Sequence, residues 1–453
     1  MKFVMNEELR AVHDYLAGRV MTIDRLPFSC AVVETAVREG FVARKQGVMK
    51  QNGAWCCQRC HCKDQGAYAA FPCAKCEKSC VYCRHCIQMG RVASCDDLLT
   101  WCGPNLYEAK GHRLKWDGQL TEAQSRVAKE LVASVREKKA RLIHAVCGAG
   151  KTEILFESIA VALNEGWRVC VATPRTDVVL ELFPRLQRVF PDTEIHALYG
   201  GADVNMTFAP FIVATTHQLY RFEEAFDIVF VDEADAFPYS YDASLQYAVK
   251  KAVKKDGAVM YVTATPTTLQ RTTAIKEASY SFIPRRFHGY DLPVPRLRFL
   301  PFYKRQLCAS HIPTALQKQL NSWIQQGKPF LLFFPTIDLM ERTAPLFERI
   351  DASITFVYAN EQRRKEKVQA LRDGQVVGLL TTTILERGIT IPNLQVAVLG
   401  AEAAIFSSHA LIQISGRVGR SANEPDGDVL FYHHGVTKSM DEAIAEIKRL
   451  NGQ

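Results

Sequence analysis

No apolar run in this 453-residue sequence is longer than the five residues Phe330 to Phe334. A bilayer-spanning helix needs about 20 apolar residues, so no transmembrane segment is expected. The N-terminus also lacks an apolar signal core, because Glu7, Glu8, Arg10 and Asp14 follow Met1 closely, and a cytoplasmic chain is expected. Glycine (26) and proline (19) are too few and too scattered for a collagen-like or low-complexity chain, and no short tandem repeat is present. Neither sign of charge dominates. The net charge of +8 suits a polyanionic partner such as nucleic acid, but it suits a basic enzyme equally well. Cysteine is sparse along most of the chain, with only Cys30, Cys147, Cys170 and Cys308 outside one crowded stretch. The other eleven of the fifteen lie between Cys56 and Cys102. In a reducing compartment such a cluster points to metal rather than to disulfides.

The texture of the chain suggests four regions and a linker: an N-terminal helical segment (1–54), a cysteine-rich module (55–116), a first α/β domain (117–284), a linker (285–304) and a second α/β domain (305–453). In the N-terminal segment only Asn6 to Leu16 shows helical periodicity. From Leu120 to about Tyr280, short apolar runs alternate with amphipathic stretches; the runs are Arg141 to Val146, Arg168 to Ala172, Phe211 to Thr215, Ile228 to Asp232 and Val259 to Thr263. The pattern resumes at Phe330 to Phe334, Ile354 to Tyr358, Val376 to Thr381, Val396 to Gly400 and Asp428 to Tyr432. Alternation of this kind predicts parallel sheets wrapped by helices. Between them, Pro284, Pro293, Pro295 and Pro301 stand among Arg285, Arg286, Arg296 and Arg298, which reads as a linker or crossing strand. Met440, Ile444, Ile447 and Leu450 form one face of a closing helix over Ser439 to Leu450.

The chemistry begins after the first of these strands. Ala145-Val146-Cys147-Gly148-Ala149-Gly150-Lys151-Thr152 precedes the helix-compatible Glu153 to Leu163. Gly148, Ala149 and Gly150 let successive amides turn toward phosphate oxygens, Lys151 can reach the β and γ phosphates of ATP, and Thr152 can hold Mg²⁺. The acidic half of such a site should end another apolar strand, and Asp227 to Asp235 supplies it. There Asp232 is placed to bind Mg²⁺ through water and Glu233 to orient the attacking water. The competing reading is that Asp232 to Asp235 cap the next helix. Thr121-Glu122-Ala123-Gln124 fits a capping box, and Gln124 fits an adenine edge equally well.

Further segments follow in the order found in superfamily-two helicases and translocases, which this sequence resembles from about residue 118 to 438. Thr173-Pro174-Arg175 and Thr215-Thr216 resemble motifs that touch the nucleic-acid backbone, and Thr263-Ala264-Thr265 resembles the motif coupling hydrolysis to strand contact. Thr382 to Ile389 and Gln413 to Arg420 resemble the fifth and sixth motifs. The resemblance implies two tandem RecA-like P-loop domains, with DNA contacts at Thr173, Arg175, Thr216, Thr265 and Thr383 and nucleotide contact at Arg387. The sixth motif brings guanidinium charge to the γ phosphate, an effect worth about 10³ to 10⁵ in rate where measured. Arg417 and Arg420 are the candidates. Asp232-Glu233-Ala234-Asp235 does not make this one of the RNA helicases bearing that tetrapeptide. Its third motif is Thr-Ala-Thr, its sixth begins with Gln413, and a cysteine module stands in front.

Within the module, Cys57-Gln58-Arg59-Cys60 and Cys83-Arg84-His85-Cys86 are two knuckles, each able to give two thiolates to a tetrahedral Zn²⁺. Cys73, Cys76, Cys80 and Cys95 are available for a second zinc. His61 and His85 read as polar surface residues rather than ligands. Trp55, Tyr68, Phe71, Tyr82, Trp101 and Tyr107 interleave with Arg59, Arg84, Arg91 and Lys110, a pattern suited to stacking single-stranded bases or to a small core.

A four-cysteine module ahead of a two-lobe helicase core is similar to the ComFA family of late competence proteins. Tyr82-Cys83-Arg84-His85-Cys86, Met89-Gly90-Arg91 and Asp232 to Pro238 support this. The resemblance implies an ATPase stimulated by single-stranded DNA, peripheral at the inner face of the membrane, that drives uptake of transforming DNA. Its implied partners are other competence proteins, including the membrane DNA channel and recombination loading factors, and its implied zinc ligands are Cys57, Cys60, Cys83 and Cys86. Two alternatives remain at this level. A replication-restart helicase would carry its cysteines inside the second lobe, and a metal-stabilised adaptor without hydrolysis would not need Glu233, Arg417 and Arg420.

Overall fold

The computed structural model describes residues 6–107, 111–202, 207–359, 361–387 and 390–452. The chain divides into two compact units, one of residues 1–144 with 152–282 and the other of residues 145–151 with 283–453.

The first unit is built on a seven-stranded sheet in the order Ile195–Leu198, Phe211–Thr215, Val169–Thr173, Phe226–Val231, Val253–Thr263, Arg141–Ala145, Tyr280–Ile283. The pairings from Ile195–Leu198 across to Arg141–Ala145 are all parallel. The strands Val169–Thr173, Phe211–Thr215 and Phe226–Val231 are buried along their whole length, as continuous apolar runs covered on both faces must be. Phe211, Phe226 and Phe230 are fully buried, and each such side chain contributes about 1.5 to 3 kcal/mol through loss of contact with water. The helix Glu122–Arg136 opens with the expected capping box. The segment after the phosphate loop starts as a 3₁₀ turn, Glu153–Leu155, before the α-helix Phe156–Asn164.

The N-terminal region packs on this sheet. Met21–Thr22, Asp97–Trp101 and Val42–Gln46 form a three-stranded antiparallel sheet, and two hairpins pair Val48–Gln51 with Ala54–Cys57 and Tyr68–Pro72 with Ser79–Cys83. A boundary between residues 54 and 55 would therefore fall inside a strand, and residues on both sides of it share one sheet. Periodicity found the helix Glu7–Leu16, capped by Asn6, but these short, half-exposed strands carry too little alternation to be read.

The second unit carries a six-stranded, wholly parallel sheet in the order Arg296–Phe299, Val429–His433, Gln395–Leu399, Phe330–Phe333, Gly378–Thr381, Thr355–Val357. Its core gathers Trp323, Phe330, Phe334, Met340 and Phe347. Part of the proline- and arginine-rich segment is thus an edge strand, Arg296–Phe299, and the closing helix is Lys438–Leu450. No helix among the described residues is long and apolar enough to cross a membrane.

Candidate functional site

Parallel α/β sheets present ligand-binding groups at the carboxyl ends of their strands. The motifs of the first unit follow that rule: Thr173, Thr215, Asp232 and Thr263 each end a strand or directly follow one, and Thr173 and Thr215 are register partners. The Asp232 amide donates to the Ala172 carbonyl at 2.8 Å, which holds the acidic motif beside the strand bearing Thr173.

Asp232 is largely buried. Its Oδ1 accepts from the Glu233 amide at 2.9 Å, and Glu233 has a φ of +54°, in the left-handed region that non-glycine residues seldom adopt. Such local strain concentrates where a side chain must be aimed. The helix-cap alternative fails on position, since residues 233–241 form turns and the next helix, Ala243–Ala252, is capped by Asp242.

Asp235 has a role that sequence reasoning missed. Thr263 Oγ1 donates to its Oδ1 and Thr265 Oγ1 to its Oδ2, both at 2.7 Å. The Thr-Ala-Thr motif is therefore fastened to the acidic motif by two charge-assisted hydrogen bonds, each worth about 1.5 to 3 kcal/mol. The buried Thr265 hydroxyl is committed to this carboxylate. Asp235→Asn replaces one acceptor oxygen with a donor, and the expected loss of about 2 kcal/mol corresponds to a thermal midpoint lower by about 5 °C. Scanning calorimetry of the full chain checks this, and a wild-type midpoint would mean that the two bonds contribute nothing.

Other expected strand contacts are less accessible. Thr173 and Thr216 are fully buried, and their hydroxyls find no hydrogen-bond partner among the described residues. Arg175 holds Asp177 in a two-point pair, Nε to Oδ1 at 3.1 Å and Nη2 to Oδ2 at 2.9 Å, at the start of the helix Thr176–Val189. Gln124 Oε1 accepts from the Thr121 amide at 2.8 Å, so the capping box forms and fixes this side chain in a buried position.

The phosphate loop, residues 145–151, belongs with the second unit. Gly148 (φ +80°) and Gly150 (φ +68°) adopt backbone angles that only glycine takes without strain. Ala149 is buried between them. Lys151 and Thr152 are half-buried, and Lys151 makes no ion pair or hydrogen bond among the described residues. Cys147 Sγ lies 3.1 Å from Gln413 Oε1, and a Cβ on Gly416 would come within 2.4 Å of Cys147 Cβ, so the sixth motif needs its glycine.

Arg417 is buried and donates from Nε to the Glu386 carbonyl at 2.8 Å, joining the sixth motif to the fifth. Arg420, half-buried, donates from Nε to the Gly416 carbonyl at 3.0 Å and from Nη1 to Thr390 Oγ1 at 3.3 Å. Arg387 is buried beside Glu386 at 3.6 Å, and Thr383 begins a short 3₁₀ turn after the strand Gly378–Thr381. Gly388 and Ile389 of the fifth motif lie outside the described residues, as does Lys110. Arg286, read from sequence only as part of a basic linker, is a second missed residue. It is buried, donates from Nη1 to the Gly419 carbonyl at 2.5 Å, and is pushed down to about 10 by burial. The neighbouring Phe287 amide donates to the Gly148 carbonyl at 3.1 Å. No local sequence signal separates Arg286 from Arg285.

In the cysteine module, Cys57, Cys60, Cys83 and Cys86 are all buried, with Sγ atoms within 4.8 Å of one another. The Cys57–Cys86 and Cys60–Cys83 separations are 3.8 and 3.7 Å. A tetrahedron of 2.3 Å Zn–S bonds has edges of about 3.8 Å, so the donor set fits zinc. Arg59 is not a surface phosphate contact. It is buried and donates from Nη2 to Cys86 Sγ at 3.1 Å and from Nη1 to the Met89 carbonyl at 3.1 Å, setting a positive charge against the thiolates. Of the two histidines in the cluster, His61 meets Tyr247 with the rings tilted by 34° and their centroids 4.7 Å apart, while His85 Nε2 lies 2.7 Å from Ser244 Oγ and 3.1 Å from Tyr220 OH. Lys251, pushed down to about 8 by burial, donates to the carbonyls of Arg59 and Tyr220. The module thereby rests on the 3₁₀ segment Thr216–Arg221, which carries one of the expected strand-contact motifs.

Residues 5–100 match the competence protein ComFA N-terminal domain, residues 117–268 the type III restriction enzyme res subunit, and residues 312–422 the helicase conserved C-terminal domain. The chain is 42% identical over 437 residues to the competence protein ComFA of Bacillus subtilis (strain 168), covering 96% of this chain and 94% of that protein. It is 38% identical over 448 residues to the ComFA of Streptococcus pneumoniae (strain R6), covering 97% and 98%. Among solved structures, S. cerevisiae Dbp5 bound to RNA and ADP BeF3 aligns over 74% of this chain and 88% of its own with a TM-score of 0.54 at 16% identity. RecG bound to a three-way DNA junction aligns over 73% and 45% with a TM-score of 0.52 at 17% identity. These likenesses give the fold: two RecA-like helicase domains.

Proposed function

Because the chain belongs to the ComFA family of competence proteins, we propose that it is an ATP-driven single-stranded DNA translocase that draws transforming DNA inward during natural competence. It is an enzyme of the superfamily-two helicase type, and ATP with a divalent metal is what its helicase domains imply. The observation that carries the finer reading is similarity to ComFA proteins along nearly the whole chain, 42% identity over 437 residues, together with an unbroken set of candidate hydrolysis residues.

In this reading Lys151 and the amides of Gly148, Ala149 and Gly150 bind the β and γ phosphates, and Thr152 and Asp232 hold Mg²⁺. Bound Mg²⁺ neutralises phosphate charge. Glu233 orients the attacking water and takes its proton, Arg417 and Arg420 offset charge developing on the transferred phosphoryl group, and Gln124 and Arg387 position the nucleotide. Asp235 passes the state of the acidic motif to Thr263 and Thr265. Thr173, Arg175, Thr216 and Thr383 lie on the segments that follow the DNA strand, so the buried hydroxyls of Thr173 and Thr216 become available only when those segments move. Cys57, Cys60, Cys83 and Cys86 would hold a zinc that braces the module resting on the Thr216–Arg221 segment. The partners are single-stranded DNA and other competence proteins, including the membrane DNA channel and recombination loading factors, with the chain peripheral at the inner face of the membrane.

Phosphate release by the purified full chain with Mg²⁺ tests this directly. Single-stranded DNA should raise turnover at least tenfold, and duplex DNA or RNA should raise it far less. Equal stimulation by RNA, or none by any nucleic acid, would remove the DNA-translocase reading.

A further inference from the structure

We propose that the chain carries a second structural zinc, held by Cys73, Cys76, Cys80 and Cys95 and separate from the one between the two Cys-x-x-Cys knuckles. Their four Sγ atoms lie within 4.8 Å of one another, as those of the first set do. Cys73 and Cys95 Sγ are 3.6 Å apart, and Cys76 and Cys80 Sγ are 3.3 Å apart. Both separations are far beyond a disulfide bond of about 2.05 Å and close to the edge of a zinc tetrathiolate. Four thiols converge here from three stretches of chain: the hairpin turn at Cys73 to Cys76, the strand Ser79–Cys83, and the segment after the second knuckle.

The backbone is shaped for this. Cys73 donates from its amide to the Lys78 carbonyl at 3.0 Å, and the Glu77 amide, on a residue with φ +55°, donates back to the Cys73 carbonyl at 2.8 Å. Cys95 is delivered by two bonds that tie its neighbour to the hairpin: Ser94 N to the Val81 carbonyl at 2.8 Å, and Val81 N to Ser94 Oγ at 3.1 Å.

The remaining thiols of the stretch take no part. Cys56 and Cys62 contact the backbone carbonyls of Cys57 and Asp64, and Cys102 that of Gly40. The eleven clustered cysteines thus resolve into two sets of four and three bystanders. An all-thiolate tetrahedral set selects zinc, or iron, over hard cations. This metal clamps the tip of the hairpin Tyr68–Pro72/Ser79–Cys83 to the chain that follows the first zinc. Cys76 and Cys95 are only half-buried, whereas all four first-site ligands are buried, so the second metal should exchange first.

The proposal is tested on the full chain by metal analysis and native mass spectrometry after growth with zinc. Two zinc ions per chain are expected, and limiting chelator should remove them in two phases with the faster accounting for one ion. The double variant Cys73→Ser, Cys80→Ser should retain one zinc and lose the fast phase. The wild-type stoichiometry keeps the test decisive even where that variant fails to fold. One zinc per wild-type chain, iron in place of zinc, or a Cys76–Cys80 disulfide in non-reducing peptide maps would each overturn the assignment.

Discussion

Replacing Lys151 with alanine should lower DNA-stimulated ATP turnover by about 10² to 10³, the range observed when one donor is removed from a charge-stabilising constellation. The fold should survive. Lys151 is half-buried and holds no partner among the described residues, so its truncation breaks no ion pair and leaves no buried group unsatisfied. The thermal midpoint should stay within about 2 °C of wild type. That separation of activity from stability is the informative part. A loss of turnover accompanied by a large drop in midpoint would point to a structural role for the loop, and retained turnover would show that phosphate is not held there. Gly150→Ala offers the complementary case. Its φ of +68° forces strain on any side chain, so activity and stability should fall together.

The parallel sheets were legible because fully buried strands write themselves as continuous apolar runs. Phe211–Thr215, Val169–Thr173 and Phe330–Phe333 each match an expected run to within a residue or two at either end. Glycine spacing and strand-end acids made the expected nucleotide motifs stand out, and the structure sets Thr173, Thr215, Asp232 and Thr263 at strand ends, the edge where parallel α/β sheets bind ligands. What could not be read depends on partners far away in sequence. The short strands of the N-terminal region are half-exposed, and only pairing such as Val42–Gln46 with Asp97–Trp101 defines them. Arg59 reads as a basic surface residue until the fold closes a thiolate cluster around it, and Asp235 reads as one acid among several until Thr263 and Thr265 arrive 28 and 30 residues later. Arg286 is the extreme case, since its partner Gly419 lies 133 residues away.

The double variant Cys57→Ser, Cys60→Ser should release the first zinc and cost more stability than any single core substitution. Structural zinc in small fingers carries about 10 to 16 kcal/mol of apparent binding free energy that is also folding free energy. Here part of that loss is offset, because the module does not stand alone. Cys57, Cys60, Cys83 and Cys86 share one apolar cluster with Ala214, Phe222, Val229 and Leu245 of the adjoining sheet and its helices. The sheet retains its own buried strands, so the expected outcome is local: residues around Trp55 to Tyr107 become cleavable by protease while the seven-stranded sheet persists. The effect on function follows from what the module touches. His85 meets Tyr220 and Ser244, and Lys251 joins the Arg59 carbonyl to that of Tyr220, so melting the knuckles removes the support behind Thr216–Arg221. Basal ATP turnover should change by less than about threefold, while stimulation by single-stranded DNA should fall by more than about tenfold. Unchanged zinc content would dismiss this ligand set, and full DNA stimulation in a zinc-depleted, protease-sensitive variant would show that the Thr216 segment does not lean on the metal.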